Sequence, residues 1–434
     1  MAKKPKFQHP TGMHDILPED QAYYKKIYGV TQDIAQFYGF SKIDTPIVED
    51  AELYERGTGS ATDIVEKQMF SLKTKGGDHL ALRPEFTPGI VRSYNEHGMF
   101  NIPQPVKLYT FGPLFRYEHP QAGRFRQFHQ VDFEVFGEQS PAIDAQVIQI
   151  FYNLLRELKF SHLIIEVNSI GDASCRPYYK KVLVNYLRPR QNSLCADCRR
   201  RIKENPLRVL DCKEEKCQRV KTQAPQILDH LCEPCKTHFT SLLEFLDEAD
   251  LPYHLDPYLV RGLDYYTKTV FEIFTETPAG EKDGEEVVQR SALVGGGRYD
   301  GLVKLLGGKE VSATGAAAGV ERIISLMKAK GFPPAEIPTP KVFLAQLGDM
   351  PKKKSLKLLE ELRHAKISIA ESLGRDSLRT QLARADKLAV EFTLILGQRE
   401  VLDGTIVIRR MDTGEQQVVK MDKVIDELKK RLKK

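Results

Sequence analysis

The sequence predicts a mixed α/β protein of the α+β kind: an antiparallel-sheet core with helices, a mainly helical insertion, and a small α/β domain at the end. Three observations carry this prediction. At 434 residues and 49.4 kDa the chain exceeds what one hydrophobic core organises, so two or three domains are expected. Two strand-like runs, 107–117 and 131–136, flank a basic, glycine-containing loop, which is the pattern of an antiparallel hairpin. All seven cysteines fall in one intermediate stretch, and beyond residue 341 strands and helices alternate.

Residues 20–38 carry apolar side chains at helical spacing (Tyr24, Ile27, Tyr28, Ile34, Phe37) before Gly39, an amphipathic helix with a C-terminal stop. Residues 40–48 read as a strand, and Pro46 marks it as an edge or an interface, because proline donates no ladder hydrogen bond. Residues 60–70 and 72–82 flank a turn at Lys75, Gly76, Gly77 and Asp78. The second run leads into LRPEFTP, leaving Glu85 and Thr87 at a strand end, where a side chain can face a pocket. A carboxylate and a hydroxyl there suit an ammonium group, one for charge and one for direction. Taken alone, the same tripeptide reads as an Arg83–Glu85 salt bridge.

The stretch 109–137, YTFGPLFRYEHPQAGRFRQFHQVDFEVFG, is the most informative in the chain. Its hairpin brings Arg116, Glu118, Arg124, Arg126, Gln130 and Glu134 within reach of one concave face, since alternate side chains of a strand share a side. Several arginines on one face suit a polyphosphate: the guanidinium fork donates two hydrogen bonds to one phosphate and keeps its proton. The plainer reading, cross-strand ion pairs on a solvated face, leaves this density of arginine unexplained.

Further along, GGGRYDG at 295–301 permits close backbone approach but by itself usually means a turn. No GxxxxGK[ST] loop occurs, so a nucleotide is held by another device. Residues 315–322, GAAAGVER, supply one: a small-residue strand over which something flat can pack, then a helix starting near Val320. After the proline-rich linker 332–340 come strand 342–346, helix 352–364, strand 367–370, helix 378–385, strands 392–396 and 405–409, and a terminal helix.

Composition bounds the rest. Hydrophobic and charged contents of 41% and 28% are those of a soluble globular protein. No apolar run approaches a membrane span and the N-terminus lacks a signal-like stretch, so a cytoplasmic location is expected. Residues 341–434 hold 21 Lys+Arg against 14 Asp+Glu, a net of +7 against +5 for the whole chain, which points to a polyanion partner for the last domain. Six cysteines, Cys195, Cys198, Cys212, Cys217, Cys232 and Cys235, include two C-x2-C pairs and resemble a structural zinc site. Free thiols in a small helical domain are the alternative. Arg199, Arg200, Arg201 and Lys203 lie close by, suited either to nucleic acid or to a solvated helix.

FRYE at 115–118, RFRQFHQ at 124–130 and EVFG at 134–137 resemble motif 2 of the class II aminoacyl-tRNA synthetases and, within that class, the histidyl-tRNA synthetase family. LRPEFT at 82–87, LVRGLDYYTKTVFEIF at 259–274 and GAAAGVER at 315–322 agree in order and spacing, so the resemblance covers nearly the whole chain. It implies a histidine–tRNA ligase that uses ATP and Mg2+, with tRNA(His) and L-histidine as substrates, and a homodimer through motif 1 (the first helix and strand). The domains it implies are a catalytic core in two parts, 1–170 and 253–331, an insertion over 171–252, the linker 332–340, and an anticodon-binding domain over 341–434.

Carried over residue by residue, the resemblance gives Arg116 and Arg261 the α-phosphate, Arg124 and Arg322 the outer phosphates, Phe128 the adenine, and Glu118 a further place in the ATP site, with Arg261 also among the histidine-binding residues. Glu85 and Thr87 take the substrate ammonium, Gln130 and Glu134 the imidazole nitrogens, Tyr265 and Tyr266 the walls around the ring. Gln121 and Arg126 meet the tRNA acceptor end. The implied reaction is in-line attack of the histidine carboxylate on the α-phosphorus of ATP, then transfer of histidine to the 3′-terminal adenosine of tRNA, with no side-chain nucleophile. Ala317 stands where the class pattern has a third glycine. Two rival functions are a non-aminoacylating regulatory paralogue of histidine biosynthesis and a zinc-dependent nucleic-acid-binding module. The first usually loses the arginines matching Arg261 and Arg322, and the second has no use for any of the phosphate-binding arginines.

Overall fold

The computed structural model describes residues 7–60, 62–119, 124–282, 285–336, 338–374 and 377–432, and for 277–289 the backbone only. The chain divides into two compact units, Met1–Ala335 and Glu336–Lys434. Among the described residues no helix is long and apolar enough to cross a membrane.

The first unit is built on strands β1 (Ser41–Lys42), β2 (Val48–Asp50), β3 (Phe70–Lys73), β4 (His79–Leu82), β5 (Val106–Phe115), β6 (Gln127–Phe136), β7 (Leu163–Ser169), β8 (Tyr253–Leu255), β9 (Thr267–Lys282), β10 (Glu285–Arg298) and β11 (Ala313–Gly319). Eight of them form one sheet in the order β1-β5-β6-β11-β10-β9-β7-β8, while β2, β4 and β3 form a small antiparallel sheet. The large sheet is antiparallel except at its two ends, where β1 runs parallel to β5 and β8 parallel to β7. The expected strand over 40–48 therefore splits between two sheets. Arg83 holds the crossing segment, donating from Nη1 to the Thr45 carbonyl at 2.6 Å, while its backbone N–H donates to Ile47. Its Nε donates to Pro113 at 2.9 Å, so Arg83 is a brace and not the partner of Glu85.

Strand β5 runs through Gly112 and Pro113 without a break. Proline is tolerated there because β1 covers only Leu108 and Tyr109, leaving the rest of that edge without a ladder partner. In β6 the period of two decides everything downstream. Val131, Phe133 and Val135 join the apolar core under the sheet, and the even positions Phe128, Gln130 and Asp132 face the opposite side.

That core is closed by the helices Pro18–Phe37, Pro141–Glu157, Glu233–Glu248 and Val320–Ala329. Pro141–Glu157 shows why: Ser140 caps it by accepting from the Ala142 N–H at 3.2 Å, proline occupies its first turn, and Val147, Ile148, Phe151, Leu154 and Leu155 recur on its buried face. Asp144 breaks the apolar pattern and ties four elements together. It accepts from Arg298 at 2.8 and 3.1 Å, from Thr269 at 2.7 Å, and lies 2.8 Å from His238 Nε2. Burial opposes its ionisation, but the Arg298 guanidinium and His238 outweigh burial and hold the carboxyl below the usual range. Its contribution is thus present at neutral pH and lost on acidification below that range. Arg298→Met strands a buried carboxylate and is expected to cost about 3–5 kcal/mol in urea unfolding. A loss under 1 kcal/mol contradicts this reading.

Between β7 and β8 the chain is mainly helical, with helices Arg176–Leu187, Ala196–Glu204, Glu215–Lys221 and Glu233–Glu248. Arg200 pairs with Glu66 at 2.7 and 2.9 Å, Arg201 with Asp63 at 2.9 Å, and Arg199 donates to the Leu194 carbonyl at 3.2 Å, so three of the four basic residues noted there are engaged within the chain.

The second unit holds β12 (Val342–Gln346), β13 (Ile369–Glu371), β14 (Phe392–Leu396), β15 (Thr405–Arg410) and β16 (Gln416–Lys420), ordered β13-β12-β14-β15-β16. The first three are parallel, and β12 and β14 are buried along their whole length, as expected of strands covered on both faces. Helices Asp349–His364 and Val424–Leu432 pack on one face and Leu378–Lys387 on the other.

Candidate active site

On the face of the large sheet away from its helical core lies a cavity of about 390 Å3. Its floor is β6, β11 and β10, and its walls are the β5 end, the segment 260–266 and the residues following β4. One end is cationic and the other acidic.

At the cationic end stand Arg124, Arg261 and Arg322, and Arg116 lies where the two ends meet, close enough to Glu85 and Asp132 for its charge to act on both. Arg116 follows β5, donates from Nε to Pro84 at 2.9 Å, and its guanidinium lies 5.3 Å from the centre of the Phe128 ring. Arg124 approaches Glu118 at 3.6 Å. Arg322 opens the helix Val320–Ala329 and donates to the Ala292 carbonyl at 2.5 Å. Burial first, and then the Arg124 charge, push Arg322 below the usual guanidinium range, while Glu272 and Glu118 act the other way. Arg261 is paired with Glu272 of β9. Glycine opposite it leaves the guanidinium its place: a Cβ at Gly295 would lie 2.1 Å from the Arg261 guanidinium and push it aside. The glycine run is thus part of strand β10, paired to β11, and not the turn its composition indicates.

Helix Val320–Ala329 is fixed at its start by Glu321. Its carboxylate accepts from the His129 N–H at 2.8 Å and from the Tyr24 hydroxyl at 3.1 Å, joining β6 and the first helix to the base of Arg322.

At the acidic end Glu85, Asp132 and Glu134 are all buried. Tyr265 donates to Glu85 at 3.0 Å, Thr87 to Glu134 at 2.6 Å, and Tyr299 donates to the other Glu134 oxygen. A Cβ at residue 315 lands 1.6 Å from a Glu134 oxygen, which accounts for Gly315. Burial pushes the Glu85 carboxyl up to about 7 despite Arg116 and the Tyr265 hydroxyl. Burial takes Glu134 up to about 8, and burial together with the Glu134 and Glu85 charges raises Asp132 well above its usual range. Glu85 Oε1 and Asp132 Oδ1 are buried with no hydrogen-bond partner among the described residues. Unpaired buried acceptors in a carboxylate pocket call for a cationic donor. Tyr265 and Tyr266, with ring centres 4.6 Å apart, wall the pocket, and Tyr299 meets Tyr265 edge-on at 5.6 Å.

A family model described as histidyl-tRNA synthetase matches residues 12–323, and one described as anticodon binding domain matches residues 341–431. The chain belongs to the histidyl-tRNA synthetase family. It is 43% identical to the histidine–tRNA ligase of Dehalococcoides mccartyi over 98% of this chain and all of that one, and 41% identical to that of Symbiobacterium thermophilum over 98% and 99%. The apo histidyl-tRNA synthetase of S. aureus matches in structure with a TM-score of 0.78 at 33% identity, covering 97% of this chain and 99% of that one. The chain is accordingly a class II aminoacyl-tRNA synthetase that ligates histidine to tRNA, and it ends in an anticodon-binding domain. The regulatory alternative finds no support: Arg261 and Arg322 are present and line the cavity.

Of the residues singled out in the sequence, Glu85, Thr87, Arg116, Glu118, Arg124 and Phe128 line the cavity, as do Gln130, Arg261, Tyr265, Tyr266 and Arg322. Glu134 lies just behind it, reached through Thr87 and Tyr299. Arg126 does not share the concave face. Strand β6 starts at Gln127 and its alternation ends there, so Phe125 lines the cavity instead. Arg126 lies 3.7 Å from the centre of the Tyr117 ring and donates to the Glu118 and Thr11 carbonyls. Gln121 lies outside the described residues. Four of the six cysteines in the zinc pattern, Cys195, Cys198, Cys212 and Cys217, come together, whereas Cys232 and Cys235 stand in a different group. Sequence reasoning missed Asp132, Glu272 and Tyr299. Asp132 has the same parity as Gln130 and Glu134, so a signal for it existed.

The acidic end gives a pH prediction. Glu85 is raised, so in the free protein it carries a proton below about 7, and pairing with an ammonium expels that proton. Histidine affinity is expected to fall as pH drops from 7.5 to 6, with proton release seen by calorimetry in buffers of different ionisation enthalpy. The part of this dependence due to Glu85 vanishes in Glu85→Gln. An unchanged profile in that variant contradicts the assignment.

Proposed function

We propose that the two ends of this cavity divide the substrates between them. Histidine places its ammonium and ring among Glu85, Thr87, Gln130 and Glu134, between Tyr265 and Tyr266, with its carboxylate toward the arginines. ATP lies along the cationic end with adenine against Phe128 and Arg322, the α-phosphate held by Arg116 and Arg261, and the outer phosphates by Arg124 and Arg322. The observation that carries this reading is one cavity with buried carboxylates toward one end, Arg124, Arg261 and Arg322 gathered at the other, and Arg116 between them. A zwitterionic amino acid and a polyphosphate complement that polarity in one orientation only.

Attack of the carboxylate on the α-phosphorus then gives histidyl-adenylate and pyrophosphate. The protein contributes alignment and fixed positive charge where negative charge builds up. Mg2+ enters with ATP, and Glu118 and Glu272 are the carboxylates beside the arginines suited to such a hard cation. In the second step the acceptor end of tRNA(His) approaches past the loop carrying Gln121 and Arg126, Arg126 acting from its seat on Tyr117. The anticodon-binding domain, over 341–434, supplies affinity through its basic charge. The working form is a homodimer in the cytoplasm. The core comprises 1–170 and 253–331, with the insertion over 171–252 and the linker 332–340. Within the insertion, Cys195, Cys198, Cys212 and Cys217 hold a structural zinc. The Cys195 and Cys212 sulfurs are 3.8 Å apart, the edge of a tetrahedron with Zn–S arms of about 2.3 Å.

The test uses an analogue that keeps the ammonium and imidazole but carries a hydroxymethyl group in place of the carboxylate. It is expected to compete with histidine, to bind Arg261→Gln as well as wild type, and to lose most of its affinity for Glu85→Gln. Binding that depends on Arg261 and ignores Glu85 contradicts the proposed orientation.

A further inference from the structure

The chain has seven cysteines, one more than the six-membered zinc pattern, and the fold accounts for all of them. Cys195, Cys198, Cys212 and Cys217 bring their sulfurs within 4.8 Å of one another. The other three, Cys175, Cys232 and Cys235, converge equally tightly with the carboxylate of Asp172. Asp172 and Cys175 follow strand β7, and Cys232 and Cys235 stand at the start of the helix Glu233–Glu248. The second group therefore joins the two roots of the helical stretch, from positions 60 residues apart in sequence.

Its geometry is that of a ligand set. Asp172 Oδ1 is 3.8 Å from the Cys175 sulfur and 3.9 Å from that of Cys232, close to the edge of about 3.5 Å set by tetrahedral zinc arms of about 2.0 Å to oxygen and 2.3 Å to sulfur. The same carboxylate oxygen accepts from the Ser174 N–H at 2.9 Å, which orients it. Gly171 has a φ of +63°, and a Cβ there lies 2.5 Å from the Cys175 sulfur, so the backbone is bent to leave room for that thiol. Ordinary packing of buried thiols explains neither the carboxylate at their focus nor the recess at Gly171.

We propose that Asp172, Cys175, Cys232 and Cys235 form a second zinc centre, separate from the four-cysteine one. Three thiolates and one carboxylate, closed and tetrahedral, select zinc over the harder cations, and binding displaces the thiol protons to solvent. The centre is structural, and its position gives it a task. Arg176, next to Cys175, donates to the carbonyls of Gly171 and Tyr266 at 3.1 and 2.9 Å. Pinning the root of this helix thus steadies the wall of the amino-acid pocket.

The test is metal content. Wild-type protein reconstituted with Zn2+ and dialysed free of excess is expected to hold two zinc ions per chain by mass spectrometry of the elements. Asp172→Asn combined with Cys175→Ser is expected to hold one, and Cys198→Ser one. A wild type holding a single zinc, lost in Cys198→Ser and kept in the other variant, overturns the second centre. Cobalt substitution of the wild-type protein decides the matter even if a variant fails to fold. Thiolate charge-transfer absorption is expected to grow to two equivalents of Co2+, and saturation at one equivalent overturns the proposal. Pyrophosphate exchange by the same wild-type preparation reports on the active-site assignment separately.

Discussion

Arg261→Gln is expected to lower the rate of histidine-dependent pyrophosphate exchange by about 10²- to 10³-fold, the loss typical of removing one fixed donor from a developing anion. The change should fall mainly on kcat. Arg261 is more costly to lose than Arg124 because it is largely buried in the cavity wall, and its loss leaves Glu272, now without its partner, as a negative charge beside the phosphates. Arg124, whose side chain is 53% exposed, should cost far less on replacement by glutamine, since solvent already screens it. Steady-state exchange at saturating ATP checks the ranking. Equal losses for the two variants would contradict the geometry.

Glu85→Gln is expected to raise KM for histidine by about 30-fold or more, corresponding to the roughly 2–5 kcal/mol lost when one member of a buried charged pair is removed. KM for ATP should stay within about twofold, because Glu85 lies at the acidic end, hydrogen-bonded to Tyr265. A large change in KM for ATP would show that the two ends are not separate.

Much of this site was legible in the sequence because it sits on strands and on the strand-to-helix step, where residue spacing dictates direction. The even positions of β6 and the run Gly315–Arg322 fall where periodicity puts them. What was not legible depends on contacts between distant segments. Gly295 belongs to a stretch that composition marks as a turn, and only the pairing of β10 with β11 and the approach of Arg261 show otherwise, while Tyr299 stands just past the end of β10 and its role exists only through Glu134. Glu272 was hidden in an apolar run, and its role exists only through Arg261. Arg126 was misplaced because alternation stops where the strand does. In sequence the cysteines form one linear pattern, while the fold sorts them by space and brings in Asp172. In the last unit β16 was missed, since an exposed edge strand of sequence QQVVK carries no apolar alternation.

The most direct test of the two-ended cavity is exchange of labelled pyrophosphate into ATP by the purified wild-type protein, with each of the other amino acids in place of histidine as controls. Exchange with histidine alone is the predicted result, because the carboxylate pocket must accept the ammonium and ring before the arginines can act on the carboxylate and α-phosphate. Folded protein that shows no exchange with histidine, or exchanges equally well with amino acids lacking the ring, would contradict the account.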